Sequence, residues 1–313
     1  MKGIEYSVVI PIYNEEENII QLNKEIKLVM DNISKNYEII YINDGSSDNS
    51  LNELQKLKNV IIVNLNKNYG QATALDAGFK ISQGKIVISM DGDLQNDPKD
   101  IPQLLEKLKK DNLDVVCGWR KDRQDKGGIK ILTHIGRFLR KILINDEVHD
   151  TGCTLRVYKR EAIKAIDIQG EMHRYILAIL KWKGFRIGEI VVNHRPRIYG
   201  KTKYGYSKAI RGFIDLIYIW FIQKYSQRPL HIFGLLGLIS FISGFLIELW
   251  MFEEKLMNGL DLSANGWFIL GFFMMVMGIM FFSFGMIIDL LIKIQLKTSP
   301  NEKRYHIREI IRK

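Results

Sequence analysis

The sequence predicts an α/β domain with a mostly parallel sheet, followed by amphipathic helices at a membrane surface and two transmembrane helices. Three observations lead there. Short Val- and Ile-rich runs alternate with helical patterns through the first 110 residues, two long apolar runs lie near the C-terminus, and charge is divided unevenly along the chain. Residues 1–117 hold 13 Lys and Arg against 18 Asp and Glu, 118–228 hold 24 against 10, and 229–313 hold 8 against 7. An acidic front, a basic middle and an apolar tail point to three separate tasks.

The runs at 6–12, 38–43, 60–64 and 86–90 have the length and composition of buried strands. Helical patterns at 15–30, 48–58, 71–82 and 99–110 separate them, the spacing of a parallel sheet covered on both faces. In such sheets ligands sit beyond the carboxyl ends of the strands. The polar punctuation falls there: Tyr13-Asn14-Glu15 after the first run, Asp44 to Asp48 after the second, and Asp91-Gly92-Asp93-Leu94-Gln95 after the fourth.

Neighbouring side chains on a strand face opposite ways, but Gly92 lets the chain turn so that Asp91 and Asp93 can address one point. Two hard oxygen ligands suit Mg²⁺ or Mn²⁺, with a diphosphate supplying the remaining ligands. A turn whose acids only cap the next helix is the other reading, and Asp97-Pro98 has the form of such a cap. Asp44 likewise fits an Asx turn. The chain has no GxGxxG after its first strand, no P-loop and no GxSxG, so dinucleotide, P-loop and serine-nucleophile chemistry find no support. Cys117 and Cys153 are too few for a disulfide scaffold and form no CxxC pair.

The run from 229 to 247 has one titratable side chain, His231 at its edge, and the run from 267 to 288 has none. Each can cross about 30 Å of hydrocarbon. Lys224 and Arg228 precede the first run, and Lys293, Lys297, Lys303 and Arg304 follow the second. The loop between them has no positive excess, so both ends are expected in the cytoplasm. The first ten residues lack the features of a signal peptide, which keeps the front domain on the same side.

As a set, PIYNE at 11–15, NDGSSD at 43–48 and DGDLQNDP at 91–98 resemble the catalytic domain of inverting glycosyltransferases with the GT-A fold. DTGCTLRVYKREA at 150–162 and HRPRIYGKTKYG at 194–205 narrow the resemblance to the polyprenyl-phosphate glycosyltransferases. Asn43 stands where many of these have a second Asp, and the QxxRW signature of processive synthases is missing.

The resemblance implies a cytosolic GT-A domain over 1–205, a juxtamembrane helix over 206–228, two membrane helices over 229–292 and a basic tail over 293–313. It further implies a nucleotide-sugar donor held by Pro11, Tyr13, Glu15, Asp44, Asp91 and Asp93, and Mg²⁺ or Mn²⁺ held by Asp91, Asp93 and Gln95. Arg120 and Arg137 would bind the phosphate of a polyprenyl acceptor. Asp93, Asp150, Arg197 and Lys203 would serve the transfer itself. UDP-glucose is the first expectation for the donor and GDP-mannose the second. The alternatives are a different lipid or glycan acceptor, or a binding protein that has lost transfer.

In 129–144, Ile129, Leu132, Ile135, Leu139, Ile142 and Leu143 share one helical face, with Lys130, His134, Arg137 and Lys141 around the other. A basic amphipathic helix of this kind suits an anionic membrane surface, at about 1 kcal/mol per cation. An ordinary core-facing helix is the alternative. Residues 206–225 repeat the pattern just before Pro229. The basic charge borders apolar spans and no nucleic-acid module is present, so membrane lipid, not nucleic acid, is the expected partner. His149 beside Asp150 reads as a structural pair. Glycines between Gly234 and Gly244 permit close helix packing, with a homo-oligomer as one outcome.

Overall fold

The computed structural model describes residues 3–121, 140–141, 143, 148–166, 168, 172–196, 216–221, 224–225, 229–262, 265–298 and 307–312. The first part alternates strand and helix: β1 (Tyr6–Ile12), α1 (Ile19–Ile33), β2 (Tyr37–Asn43), α2 (Ser50–Lys56), β3 (Ile61–Leu65), α3 (Gln71–Ile81), β4 (Ile86–Ser89) and α4 (Ile101–Lys110). All four predicted strands and four helices are there. Beyond them come β5 (Val115–Trp119), β6 (Arg156–Lys159), α5 (Arg160–Lys164), α6 (Ile176–Trp182) and β7 (Ile187–Val191). After two long helices, α7 (Pro229–Asn258) and α8 (Gly266–Thr298), the chain ends in β8 (Ile307–Arg312).

The strands form one sheet in the order β7-β5-β6-β4-β1-β2-β3-β8. β4, β1, β2 and β3 are parallel, with β1 central. β6 runs antiparallel to both β4 and β5, and β8 antiparallel to β3, which makes the sheet mixed. Alternation along β1 builds both cores. Val8, Ile10 and Ile12 join α1 and α4 on one face, where Leu22, Ile26, Met30, Leu104 and Leu108 are buried. Val9 faces the other way onto Ala74, Ala77 and Phe79 of α3. Each such Val, Leu or Ile contributes about 1.5–3 kcal/mol through burial. Gly78 is where α3 meets the sheet: an added Cβ would stand 2.4 Å from Val9 Cγ1. The expected cap before α4 is formed, with the Asp97 side chain accepting the Lys99 N–H and Pro98 at the first helical position.

Helices α7 and α8 form an antiparallel hairpin of their own. Both are long and apolar enough to cross a membrane. The first runs beyond the predicted span, through Glu248 and Glu253 to Asn258. Backbones approach closely at the glycines: a Cβ on Gly237 would lie 2.6 Å from the Gly278 carbonyl, and one on Gly244 2.5 Å from that of Gly271. Ser240 Oγ donates to the Met274 carbonyl across the same seam at 2.7 Å. Leu235, Leu238, Phe245, Phe272, Phe273 and Ile279 stay exposed on the outside, the surface expected toward lipid. Gly237 and Gly244 are thus used inside the hairpin.

Candidate active site

The loops after β1 and β2 are bonded to each other at the carboxyl edge of the sheet. Asn14 takes the left-handed conformation (φ 57°), tolerable for an Asn. Its backbone N–H donates to Ser46 Oγ at 3.0 Å, and its side-chain oxygen accepts the Ser47 N–H at 2.8 Å. The Glu15 N–H donates to Ser50 Oγ at 2.9 Å, while Glu15 Oε2 accepts from Asn18 Nδ2 at 2.6 Å. Tyr13 is exposed beside them, and Pro11 is half-buried within β1. Asn43 uses both ends of its amide, donating to Asn64 Oδ1 at 2.8 Å and accepting the Ser46 N–H at 3.2 Å. A carboxylate could not donate to Asn64, so an Asn at this position serves the local network.

Asp44 is buried under the loop that follows β3. One carboxylate oxygen accepts the Tyr69 N–H at 2.7 Å and the other the Gly70 N–H at 2.9 Å. Burial raises its carboxyl above the usual range, and these two donors hold back part of the rise. Gly45 takes φ +65° with its Cα pressed on the chain at Lys67.

The Asp91–Gln95 turn is closed from below. The Asp91 N–H donates to Asn96 Oδ1 at 3.1 Å, and Thr154 Oγ1 donates to the same oxygen at 3.0 Å. Asp93 is buried and accepts the Gln95 N–H at 3.1 Å. Gly92 is pressed against Ile12 and the Pro11 carbonyl, and Leu94 takes φ 61°. Burial first, and then the neighbouring Asp93 carboxylate, push the Asp91 carboxyl up to about 6, against the pull of Thr154, Arg120 and Arg156. Two crowded carboxylates of this kind fit a divalent cation, which would relieve their repulsion. Among the described residues no cluster of three or more His, Cys, Asp or Glu surrounds one point, so the remaining ligands would have to come from the donor or solvent.

Arg120 and Asp150 come together beside this turn. Arg120 Nε donates to Asp150 Oδ2 at 2.7 Å and Nη2 to Oδ1 at 3.0 Å. Arg140 Nη1 bonds Thr151 Oγ1. The loop carrying Thr151 rests on buried Arg156, which donates to the Thr151 carbonyl at 2.6 Å and the Cys153 carbonyl at 2.7 Å. His149 pairs with Glu189, Nδ1 to Oε2 at 2.8 Å, and stacks on Trp119 with ring centroids 4.3 Å apart. Its acidic partner comes from β7, not from the adjacent Asp150.

Pro11, Tyr13, Glu15, Asp44, Asp91, Asp93, Gln95, Arg120 and Asp150 thus lie on the carboxyl-edge loops or the strand ends that feed them. Arg137, Arg197, Lys203 and the helix predicted at 129–144 lie outside the described residues, apart from isolated positions at 140, 141 and 143. The juxtamembrane helix over 206–228 is described only in part. Sequence reasoning did not single out Gln71, Asn96, Thr154 or Arg156. Asn96, Thr154 and Arg156 sit inside the stretches DGDLQNDP and DTGCTLRVYKREA with no role assigned to them there, while Gln71 reaches Asp91 from 20 residues away.

Residues 7–167 match the family model "Glycosyl transferase family 2". Dodecaprenyl-phosphate galacturonate synthase of Rhizobium johnstonii is 33% identical, with 99% of this chain and 94% of that protein covered. Undecaprenyl-phosphate 4-deoxy-4-formamido-L-arabinose transferase of Proteus mirabilis is 33% identical over 97% of this chain and 93% of its own length. Among solved structures, glucosyl-3-phosphoglycerate synthase of Mycobacterium tuberculosis has the same fold at a TM-score of 0.56 and 18% identity, covering 71% of this chain and 80% of that one. The expected GT-A architecture is therefore present, joined to two apolar helices that make this a membrane protein. Matched by the family model over half its length and by polyprenyl-phosphate sugar transferases over nearly all of it, the chain is a glycosyltransferase and belongs to glycosyl transferase family 2.

Proposed function

We propose that the protein transfers one sugar from a nucleoside-diphosphate donor to the phosphate of a polyprenol, with inversion at the anomeric carbon. The observation that carries this reading is the meeting of an acidic turn, Asp91 and Asp93, with the Arg120–Asp150 pair at one sheet edge. The names of full-length relatives support a polyprenyl-phosphate acceptor. Structures of the mycobacterial neighbour with Mn²⁺ and UDP support a divalent metal, and the acidic turn here suits Mg²⁺ or Mn²⁺ alike.

Asp91, Asp93 and Gln95 would hold the metal, whose charge would offset that of the donor diphosphate. Tyr13, Glu15 and Asp44 would line the nucleoside pocket, with Pro11 at its floor. Arg120 and Arg137 would hold the acceptor phosphate, whose oxygen attacks C1 as the bond from C1 to the diphosphate oxygen breaks. That oxygen is already ionised at neutral pH, so no side chain need remove a proton. Asp150 then acts by orienting Arg120, while Arg197 and Lys203 balance the charge on the departing diphosphate. Positive flanks and the return of β8 to the catalytic sheet both support a topology with the two ends on the cytoplasmic side.

UDP-glucose is the first donor to test and GDP-mannose the second. The relatives' names add galacturonate and 4-deoxy-4-formamido-L-arabinose to the sugars of the panel, each to be offered as its nucleoside-diphosphate derivative. Full-length protein in detergent with Mn²⁺ and undecaprenyl phosphate should yield one sugar-phospholipid by mass spectrometry, lost in Asp93→Asn. Product on another lipid alone would replace the acceptor. Donor binding without turnover on any lipid would leave a binding role.

A further inference from the structure

The geometry points to Gln71 as the residue that positions Asp91 for metal and donor binding. We infer this from two linked contacts, and the inference rests on the metal reading above. The first residue of α3, half-buried Gln71, donates from Nε2 to Asp91 Oδ1 at 2.7 Å. The direction of the amide is fixed by chemistry, since its carbonyl oxygen would repel a carboxylate. The Asp44 carboxylate secures the start of that helix through the N–H groups of Tyr69 and Gly70, with Gly70 turning the chain at φ +93°. Gln71 therefore connects the Asp44 clamp after β2 to the acidic turn after β4. It engages one Asp91 oxygen and fixes how the carboxylate is presented.

Partners that orient a ligating carboxylate typically change metal affinity by about 10–100-fold when removed. The test uses full-length protein in detergent, with bound Mn²⁺ measured by electron paramagnetic resonance in the presence of UDP or GDP. Gln71→Met keeps the side-chain length and removes the donor. It should weaken Mn²⁺ binding about tenfold while the thermal midpoint stays near that of the wild type. Should the Met variant fail to fold, Gln71→Asn withdraws the amide by one methylene and is expected to show the same loss. In an Asp91→Ala background the Gln71 substitution should add less than about twofold, since its effect passes through Asp91. Affinity unchanged in Gln71→Met but lost in Asp93→Asn would overturn the role of Gln71 and leave the metal site standing. An equal loss with and without Asp91 would also overturn it. Unchanged affinity in Asp93→Asn would overturn the metal site itself, and this inference with it.

Discussion

Arg120 and Asp150, thirty residues apart, are joined by a two-point bond, with Nε to Oδ2 at 2.7 Å and Nη2 to Oδ1 at 3.0 Å, both side chains largely buried. An arginine tied in this way presents its remaining N–H groups in a fixed direction, as recognition of a phosphate requires. Asp150→Asn weakens the hold and removes the charge. We expect kcat/KM for the polyprenyl acceptor to fall about ten- to hundredfold, the worth of a charge-assisted bond. The KM for the donor should hardly move. Arg120→Lys cannot fork and should lose as much. A change confined to donor KM would remove the pair from the acceptor side.

Gly45 offers a sharper test of the nucleoside pocket proposed around Asp44. A Cβ there would stand 2.3 Å from the Lys67 carbonyl carbon and 2.5 Å from the Asn68 nitrogen, and both are backbone atoms. The positive φ adds strain for any other residue. Gly45→Ala should cost about 2–4 kcal/mol, read as a fall in the thermal midpoint. Bound UDP or GDP should raise that midpoint less than in the wild type. A variant as stable as the wild type would show that the 66–68 chain can move away.

Asp114 makes stability depend on acid. It accepts the Arg186 N–H at 2.9 Å and pairs with Lys159 at 2.9 Å, joining β5 to the end of β6 and the start of β7. Burial would raise its carboxyl, but the Arg186 N–H and the Lys159 and Arg186 charges outweigh that and hold it at about 2. A depressed pKa favours the fold while the unfolded group is ionised, so the benefit is complete above about 4 and disappears as pH falls toward 2. Asp114→Asn should therefore lose on the order of 1 kcal/mol at pH 7, after allowance for solvent screening. The two proteins should converge in stability near pH 2, and a constant gap down to that pH would discount the ionic part.

What could be read from the sequence followed local periodicity. β1 to β4 and α1 to α4 were legible because each is a contiguous run with its own apolar pattern. The acidic turn was legible because Asp91 and Asp93 are two residues apart. Partners joined over long separations were not: Gln71 with Asp91, Arg120 with Asp150, and His149 with Glu189 on β7. Single residues gave no hint of those pairings, as the topology of the sheet creates them. β6 was hidden for a related reason. Its four residues, RVYK, are too short to show alternation, and only insertion between β4 and β5 makes them a strand.

β8 is the least expected strand, because the basic tail after the second apolar helix gave no sign of pairing. It covers the β3 edge, with Ile62 opposite Ile311 and Val63 opposite Ile310, and the register shifts between Asn64 and Leu65. An uncovered β3 would present unpaired backbone groups, the usual route to edge-to-edge aggregation. Opposed residues of an antiparallel pair lie about 4.5–5.5 Å apart at Cα, within reach of a disulfide. The native Cys117 and Cys153 are both buried, which keeps the background low. Ile62→Cys with Ile311→Cys should therefore cross-link within one chain when oxidised in detergent. Ile62→Cys with Ile310→Cys should not, because a shift of one residue turns the second thiol to the other face of the sheet. Equal cross-linking of the two pairs would defeat this register. Selective cross-linking of the first, repeated in sealed membranes, would also place the tail and the catalytic sheet on one side, since a strand cannot join a sheet across a bilayer.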